Sequence, residues 1–279
     1  MNTKTKKVIY YMVIVALFTA LSFVGTYVHI PIGTSKVHLG NFVCILAGLL
    51  CGGLVGGISG SLGMGLNDIL SSYGPDTFIR TFIVKFFLGF ISGVLFRYLV
   101  KKEKKITHRF YYLSGFFLIT FVTLLILYLT KGSAIQMDEK RKFTISIILL
   151  SLLGAMSLFF LIIQLFLKKF NNVQHYVLYV ASIGSIINIL LEFILKIPFK
   201  VWFANLTWEG SAIYAISSLP SALITCVITT LFVTLIYVPL YTATQKINRL
   251  NDIYENIQRI TNIELIKNEN ENENIPTEE

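Results

Sequence analysis

The stretch "VHLGNFVCILAGLLCGGLVGGISGSLGMGLNDIL", from Val37 to Leu70, decides how this chain folds. It carries no charged residue before Asp68, and it contains many of the chain's 19 glycines. A single helix of this length would run roughly 50 Å, against about 30 Å for the hydrocarbon core of a bilayer. Two full spans would need about 40 residues. The stretch is therefore too long for one membrane helix and short for two.

The composition is that of a membrane protein. Of the 279 residues, 54% are hydrophobic and 14% are charged, whereas soluble domains average roughly 25% charged residues. The net charge of +9 comes from basic residues that flank apolar runs, so we do not expect nucleic acid as a partner. The cysteines and histidines have no metal-ligand spacing, and no catalytic motif is present. We therefore expect no metal site, no cofactor and no enzymatic activity.

Six further apolar runs approach the length of a membrane span. They cover about 8–28, 81–99, 110–130, 144–167, 177–195 and 212–241. If the Lys-rich N-terminus and the basic segment 97–109 are both cytoplasmic, an even number of spans separates them. Residues 38–70 then supply two spans, with a turn among the glycines from Gly52 to Gly57. This predicts an all-α integral membrane protein with eight spans and with both termini in the cytoplasm.

Small residues recur at every fourth position in two of these segments. They are Ala16 and Ala20 in the first, and Gly48, Gly52, Gly56 and Gly60 in the second. Small residues with this spacing allow helix backbones to approach closely in lipid, where packing drives association. Two interpretations stay open, namely packing inside the chain and a docking surface for another membrane protein.

Three segments carry a family resemblance. "HIPIGTSKVHLGNFVCILAGLLCGGLVGGISGSLGMGLNDIL", followed by "TFIVKFFLGFISG", resembles the substrate-binding S components of energy-coupling factor (ECF) vitamin transporters, in their riboflavin-type branch. The shared pattern is a His-Leu-Gly-Asn start, a glycine-rich hairpin, an acidic residue ending the third helix and a lysine inside the fourth. "AISSLPSALITCVITTLFVTLIYVPLY" resembles the last family helix. The Ala16-x-x-x-Ala20 pair fits the motif by which S components dock on their T component.

The resemblance implies a six-helix bundle with an inserted two-helix hairpin. The implied parts are 1–100 with four core helices, 101–175 with the hairpin, 176–243 with two core helices, 244–267 as a cytoplasmic amphipathic helix, and 268–279 as a disordered tail. The protein would have no ATPase of its own and would lie in a bacterial plasma membrane as a multi-pass protein in contact with lipid. It would bind a vitamin from outside and deliver it through the T component and two cytoplasmic ATPases.

Candidate ligand contacts lie in or beside three loops that this topology places outside, at 29–40, 70–80 and 196–211. They are His38, Asn41, Asn67, Asp68, Lys85, Asn188, Trp202, Asn205, Trp208 and Glu209. Polar side chains in membrane segments mark binding cavities when they face the protein interior. Aromatic faces combined with amide and carboxylate groups suit a flat heteroaromatic vitamin, which needs stacking and edge hydrogen bonds.

Each candidate also has a structural explanation. Asn41 could cap a helix, and Asp68 could pair with Lys85. Glu192 lies four residues before Lys196, so these two could form an ion pair at the membrane edge. The aromatic residues of the last loop could belong to an interfacial belt.

We expect the protein to capture riboflavin, a pyrimidine precursor of thiamine, or a pyridoxine-like compound. The alternatives are a membrane sensor or interaction protein without a vitamin ligand, and a stand-alone secondary carrier. An integral-membrane enzyme would need convergent acid and base groups. The spacing of Asp68, Lys85 and Glu192 does not provide them.

Overall fold

The chain is mostly helical. A computed structural model describes residues 3–32, 35–71, 74–102, 109–131, 134–138, 141–144, 147–166 and 172–244. The helices are α1 (Thr3–Tyr27), α2 (Gly40–Cys51), α3 (Gly53–Leu70), α4 (Gly74–Lys102), α5 (Arg109–Lys131), α6 (Ile147–Phe166), α7 (Asn172–Ala204), α8 (Trp208–Ser217) and α9 (Leu219–Thr244). Two antiparallel hairpins lie in segments predicted as loops, β1 (His29–Ile32) with β2 (Ser35–His38) and β3 (Ala134–Asp138) with β4 (Arg141–Thr144).

The six long apolar runs form helices of membrane-spanning length. They are Val8–Tyr27, Thr77–Lys102, Arg109–Thr130, Ile147–Phe166, Val173–Ala204 and Trp208–Thr242, the last combining α8 and α9. The stretch between Gly40 and Leu70 does form two helices, but α2 has only 12 residues. A helix of that length rises about 18 Å, less than the hydrocarbon core. The all-helical membrane fold is thus confirmed with six long spans, and the count of eight stays a prediction.

Gly52 forms the turn between α2 and α3. Its φ of +102° lies in the region that favours glycine, and its N–H donates to the carbonyl of Gly48 at 3.0 Å. The two helices then run antiparallel, with Gly56 against Gly48 and Gly60 against Cys44. All four glycines of the repeat are buried in this hairpin. Internal packing therefore describes them, because they face α2, α3 and α4 and not the outside of the bundle.

Helix α4 lies along the hairpin at close range. A Cβ atom added at Gly48 would come within 2.6 Å of the Gly89 carbonyl oxygen. The rest of the core forms where α2, α4, α7 and α9 meet, around fully buried Leu49, Leu88 and Tyr237. Helix α1 packs on α2 and α3 from one side. This packing brings the end of α3 and the starts of α2 and α4 together.

Helices α5 and α6 pack against each other as a hairpin, and α6 contacts α9 of the bundle. Phe110 and Phe117 stack on Phe160 between the two helices, and Phe110 also meets the ring of Tyr179 on α7. That this hairpin is inserted into a six-helix core stays a prediction, as do its limits. The amphipathic helix and the disordered tail predicted after Thr244 lie outside the described residues.

Candidate functional site

A polar cavity of about 80 Å³ lies at one end of the bundle. The ends of α1, α3 and α7 meet there with β2 and the starts of α2, α4 and α9. Its lining consists of Thr26, Ser35, Lys36, His38, Asn41, Met64, Asp68, Thr77, Arg80, Thr81, Lys85, Asn188, Glu192, Lys196, Lys200, Tyr214, Ala222 and Thr225. Most of these side chains are polar or charged, in a bundle that is otherwise apolar.

Helix α7 supplies a row of four polar residues. Asn188, Glu192, Lys196 and Lys200 follow one another at intervals of four, and all line the cavity. Residues with this spacing lie on the same face of a helix. Polar and charged groups within membrane helices are costly unless they face a partner or a cavity. The spacing thus turns every polar group of this row away from lipid. We call these four residues the α7 row.

Lys85 on α4 is tied to the α7 row. Its side chain is 3% exposed, and its ammonium donates to Asn188 Oδ1 at 2.7 Å and to the Glu192 carboxylate. Both structural alternatives for these residues are therefore wrong, since Lys85 does not pair with Asp68 and Glu192 does not pair with Lys196. The reason is that α4 packs against α7, which brings Lys85 of one helix to Glu192 of the other.

Asp68 at the end of α3 holds the β-hairpin. Its Oδ1 accepts from Lys36 Nζ at 3.3 Å, and its Oδ2 accepts from Thr81 Oγ1 at 2.5 Å. Lys36 also donates to Asn67 Oδ1 at 3.0 Å. Asn67 is buried but does not line the cavity, so it contributes by anchoring Lys36.

His38 lines the cavity as a neutral imidazole. Its pKa is lowered to about 3, mainly by burial and in addition by the nearby charges of Lys85 and Lys36. Its Nδ1 accepts a hydrogen bond from the Gly40 N–H at 3.1 Å. The ring therefore carries its proton on Nε2, as a donor.

Asn41 lines the cavity from the first turn of α2. The capping position belongs to Leu39, and no side chain caps this helix, so the capping explanation for Asn41 is wrong. Its Oδ1 is buried without a hydrogen-bond partner among the described residues. Buried polar atoms without partners are costly, and an unsatisfied one in a cavity indicates an unfilled contact.

Among the described residues, no carboxylate is bonded to the cationic groups of Arg80 and Lys196. Arg80 Nη1 is buried and has no hydrogen-bond partner within the described part of the chain. Lys196 is 4% exposed, donates to the Ser218 hydroxyl at 2.7 Å and lies 5.8 Å from the centre of the Tyr214 ring. A hydroxyl and a ring face stabilise an ammonium only partly.

The predicted aromatic cluster lies away from the cavity. Trp202 and Trp208 are 66% and 60% exposed, Asn205 and Glu209 are also exposed, and none of the four lines the cavity. Trp202 is two positions beyond the last member of the α7 row and so points to another face of the helix. These four residues are therefore not part of this cavity.

Sequence reasoning missed several lining residues. Among them are Thr26, Thr77, Arg80, Thr81, Lys196, Lys200, Tyr214 and Thr225. The four-residue repeat of the α7 row was the signal that could have found the two lysines. Nothing local distinguishes Arg80 from an ordinary residue at a membrane boundary.

A second cavity, of about 340 Å³, lies between α6 and α9. Its lining is apolar: Leu152, Ala155, Met156, Phe159, Leu223, Ile224, Val227 and Ile228. It offers no group that could orient a water-soluble ligand. The smaller cavity is therefore the candidate site.

Comparison with protein families gives a match. The family model of the ECF-type riboflavin transporter S component matches residues 3–171, more than half of the chain. No curated protein and no solved structure matches. The matched range includes α1 to α6 and the cavity residues up to Lys85, whereas the α7 row lies beyond it.

Proposed function

Because the chain belongs to the family of ECF-type riboflavin transporter S components, we propose that it captures a vitamin or vitamin precursor in the polar cavity. This family comprises substrate-binding parts of transporters and not enzymes. The observation that carries the proposal is the buried polar lining within an apolar bundle. Ionisable residues inside a membrane protein mark a ligand or ion site by default, and Asn41 and Arg80 each have a buried polar atom without a partner among the described residues.

The proposed topology has eight passes, both termini in the cytoplasm and the cavity facing outside. Its support is the charge of α4, whose last turn carries Lys101 and Lys102 at the end opposite Lys85. Basic residues favour the cytoplasmic side. The cavity end of the bundle would then be open to substrate from outside a bacterial cell.

The proposed partners are a transmembrane T component and two cytoplasmic ATPases. Ala16 and Ala20 lie on the exposed face of α1, so they are available for close helix contact. We expect the double substitution Ala16→Leu and Ala20→Leu to abolish co-purification with the T component and to leave ligand binding unchanged. The control adds bulk elsewhere on the exposed face, at Val13→Leu and Val24→Leu. Normal co-purification of the alanine double variant would contradict the docking assignment.

The first experiment is mass spectrometry of small molecules released from the detergent-purified protein, with a thermal-shift panel of riboflavin, thiamine precursors and pyridoxine-like compounds. A near-stoichiometric vitamin or precursor would support the proposal and identify the cargo. Absence of any released ligand and of any thermal shift would refute it, and would favour a membrane sensor or interaction protein. Uptake by cells lacking the ATPases would instead indicate a stand-alone carrier.

A further inference from the structure

The cavity has an excess of positive charge. Its cationic side chains are Lys36, Arg80, Lys85, Lys196 and Lys200, and its carboxylates are Asp68 and Glu192. Burying charge away from water is costly unless a counter-charge compensates it. The described lining thus holds more cations than carboxylates, before contacts outside the lining are counted.

Both carboxylates are already bonded. Asp68 binds Lys36, and Glu192 binds Lys85. Glu192 also attracts Lys196 and Arg80, but neither forms an ion pair with it among the described residues. The single carboxylate of Glu192 is therefore the counter-charge near three cations, Lys85, Lys196 and Arg80. Among the described residues that line the cavity, no carboxylate is bonded to Arg80 or Lys196.

We propose that the ligand of this cavity is a compact organic anion, whose carboxylate or phosphate group binds between Arg80 and Lys196. The inference rests on the proposed function, because it names the chemistry of the captured substrate. Arginine and lysine form charge-assisted hydrogen bonds with both kinds of anion, and arginine can do so with two parallel bonds. Binding of the anion would give the buried Arg80 Nη1 its missing acceptor.

The other polar groups indicate the rest of the ligand. The unsatisfied Oδ1 of Asn41 requires an N–H or O–H donor on the ligand, and neutral His38 offers an N–H to an acceptor. The enclosed volume of about 80 Å³ is well below the roughly 300–1,000 Å³ of cavities that hold drug-sized ligands. The cavity thus fits a compact anion better than a neutral three-ring flavin. The α7 row lies beyond the family match, so its two lysines give information on the substrate that the family match does not supply.

The first test uses simple anions on the full-length chain in a non-ionic detergent. Thermal unfolding is measured with sodium phosphate, sodium acetate or sodium chloride at matched ionic strength. We expect saturable stabilisation by phosphate or acetate beyond that by chloride, because a ligand that binds only the folded state raises its stability. Phosphate alone indicates a phosphate ester, and acetate alone a carboxylate.

Variants locate the anion. Arg80→Gln and Lys196→Gln should each remove the stabilisation, and Lys196→Arg should keep much of it. Lys101→Gln removes the same charge from an exposed position at the far end of α4 and should change nothing. If one glutamine variant fails to fold, the other still tests the site.

The second test compares matched neutral and anionic molecules by titration. The pairs are pyridine-3-carboxamide with pyridine-3-carboxylate, pyridoxine with its 5′-phosphate, and riboflavin with its 5′-phosphate. We expect the anion of at least one pair to bind about tenfold tighter or more, which is the worth of one charge-assisted hydrogen bond. Arg80→Gln should remove this preference, and the control variant Lys101→Gln should retain it.

The outcomes separate this inference from the proposed function. A neutral released vitamin, with unchanged binding in Arg80→Gln and Lys196→Gln, would overturn the anion and leave the transport function standing. Specific stabilisation by anions without any bound vitamin or uptake would support the anion and refute the function. If no simple anion stabilises the protein and no pair shows a preference, the inference is overturned.

Discussion

We predict that breaking the ion pair between Lys85 and Glu192 costs more stability when the carboxylate is removed than when the ammonium is removed. Glu192→Leu leaves the Lys85 ammonium at 3% exposure, with the Asn188 oxygen as its remaining bonded acceptor. We expect the free energy of unfolding to fall by about 3–5 kcal/mol, as it does for other buried charges that lose their partner. Lys85→Met leaves a carboxylate that is 25% exposed and attracts two other cations, so its loss should be smaller, about 1–3 kcal/mol.

The double variant Lys85→Met with Glu192→Leu should recover most of the stability. Replacing a buried ion pair by apolar side chains is often nearly neutral. We expect it to be at least about 2 kcal/mol more stable than Glu192→Leu alone. Unfolding in detergent without ligand can be followed with a thiol-reactive dye, because all three cysteines are free and buried. Additive losses, within about 0.5 kcal/mol, would refute the view that the two charges act as a unit.

Three further predictions concern the cavity and the packing. Asn41→Ala should weaken binding of the ligand found by mass spectrometry about 5- to 30-fold, because an acceptor is lost, and Trp208→Ala should not; calorimetric titration with the reverse result would disprove the site assignment. Because the pKa of His38 is about 3 in the folded protein and about 6.5 when unfolded, only the unfolded state binds the proton between these values. Stability should therefore fall by about 1.4 kcal/mol per pH unit below pH 6.5. Thermal unfolding between pH 7.5 and 5 measures this slope, which should disappear in His38→Gln; an equal slope in that variant would assign it elsewhere. Gly48→Ala should cost about 1–3 kcal/mol by overpacking, whereas Gly115→Ala, with no atom within 4 Å of the new Cβ, should cost nothing and gain up to about 1 kcal/mol of helix propensity. Equal melting temperatures for these two variants would show that the tight packing at Gly48 is not required.

Local signals account for the parts of the fold that the sequence predicted. Hydropathy located the six long helices, and the glycine cluster located the turn at Gly52, because both signals lie within a few neighbouring residues. The β1–β2 hairpin has no comparable signal, and the bond that ties it to α3 joins Lys36 to Asp68, 32 positions along the chain. The break at Ser218 between α8 and α9 was also hidden, because it interrupts an apolar run without changing its hydropathy.

The site was predictable in part for the same reason. Asn41, Lys85 and Asn188 are lone polar residues in apolar segments, and they line the cavity together with His38 and Asp68. Contact of these residues with a ligand stays a prediction. Their pairing was not predictable. The atoms that meet at Lys85 belong to residues 103 and 107 positions away, and only the packing of two helices decides which charges share a partner.

Because the α7 row depends on helical spacing, the cavity depends on the number of residues in α7 before Asn188 as well as on the side chains themselves. Each residue turns a helix by about 100°, so one residue inserted just before Asn188 would swing the amide, the carboxylate and both lysines out of the cavity together. An insertion of four residues would displace the row by only about 40° and by one turn along the axis. Among related chains, the length of α7 ahead of this point therefore reports whether the four groups can still act together. Gaps of three, four or seven residues are compatible with a retained site, and gaps of one, two or five indicate a lost one.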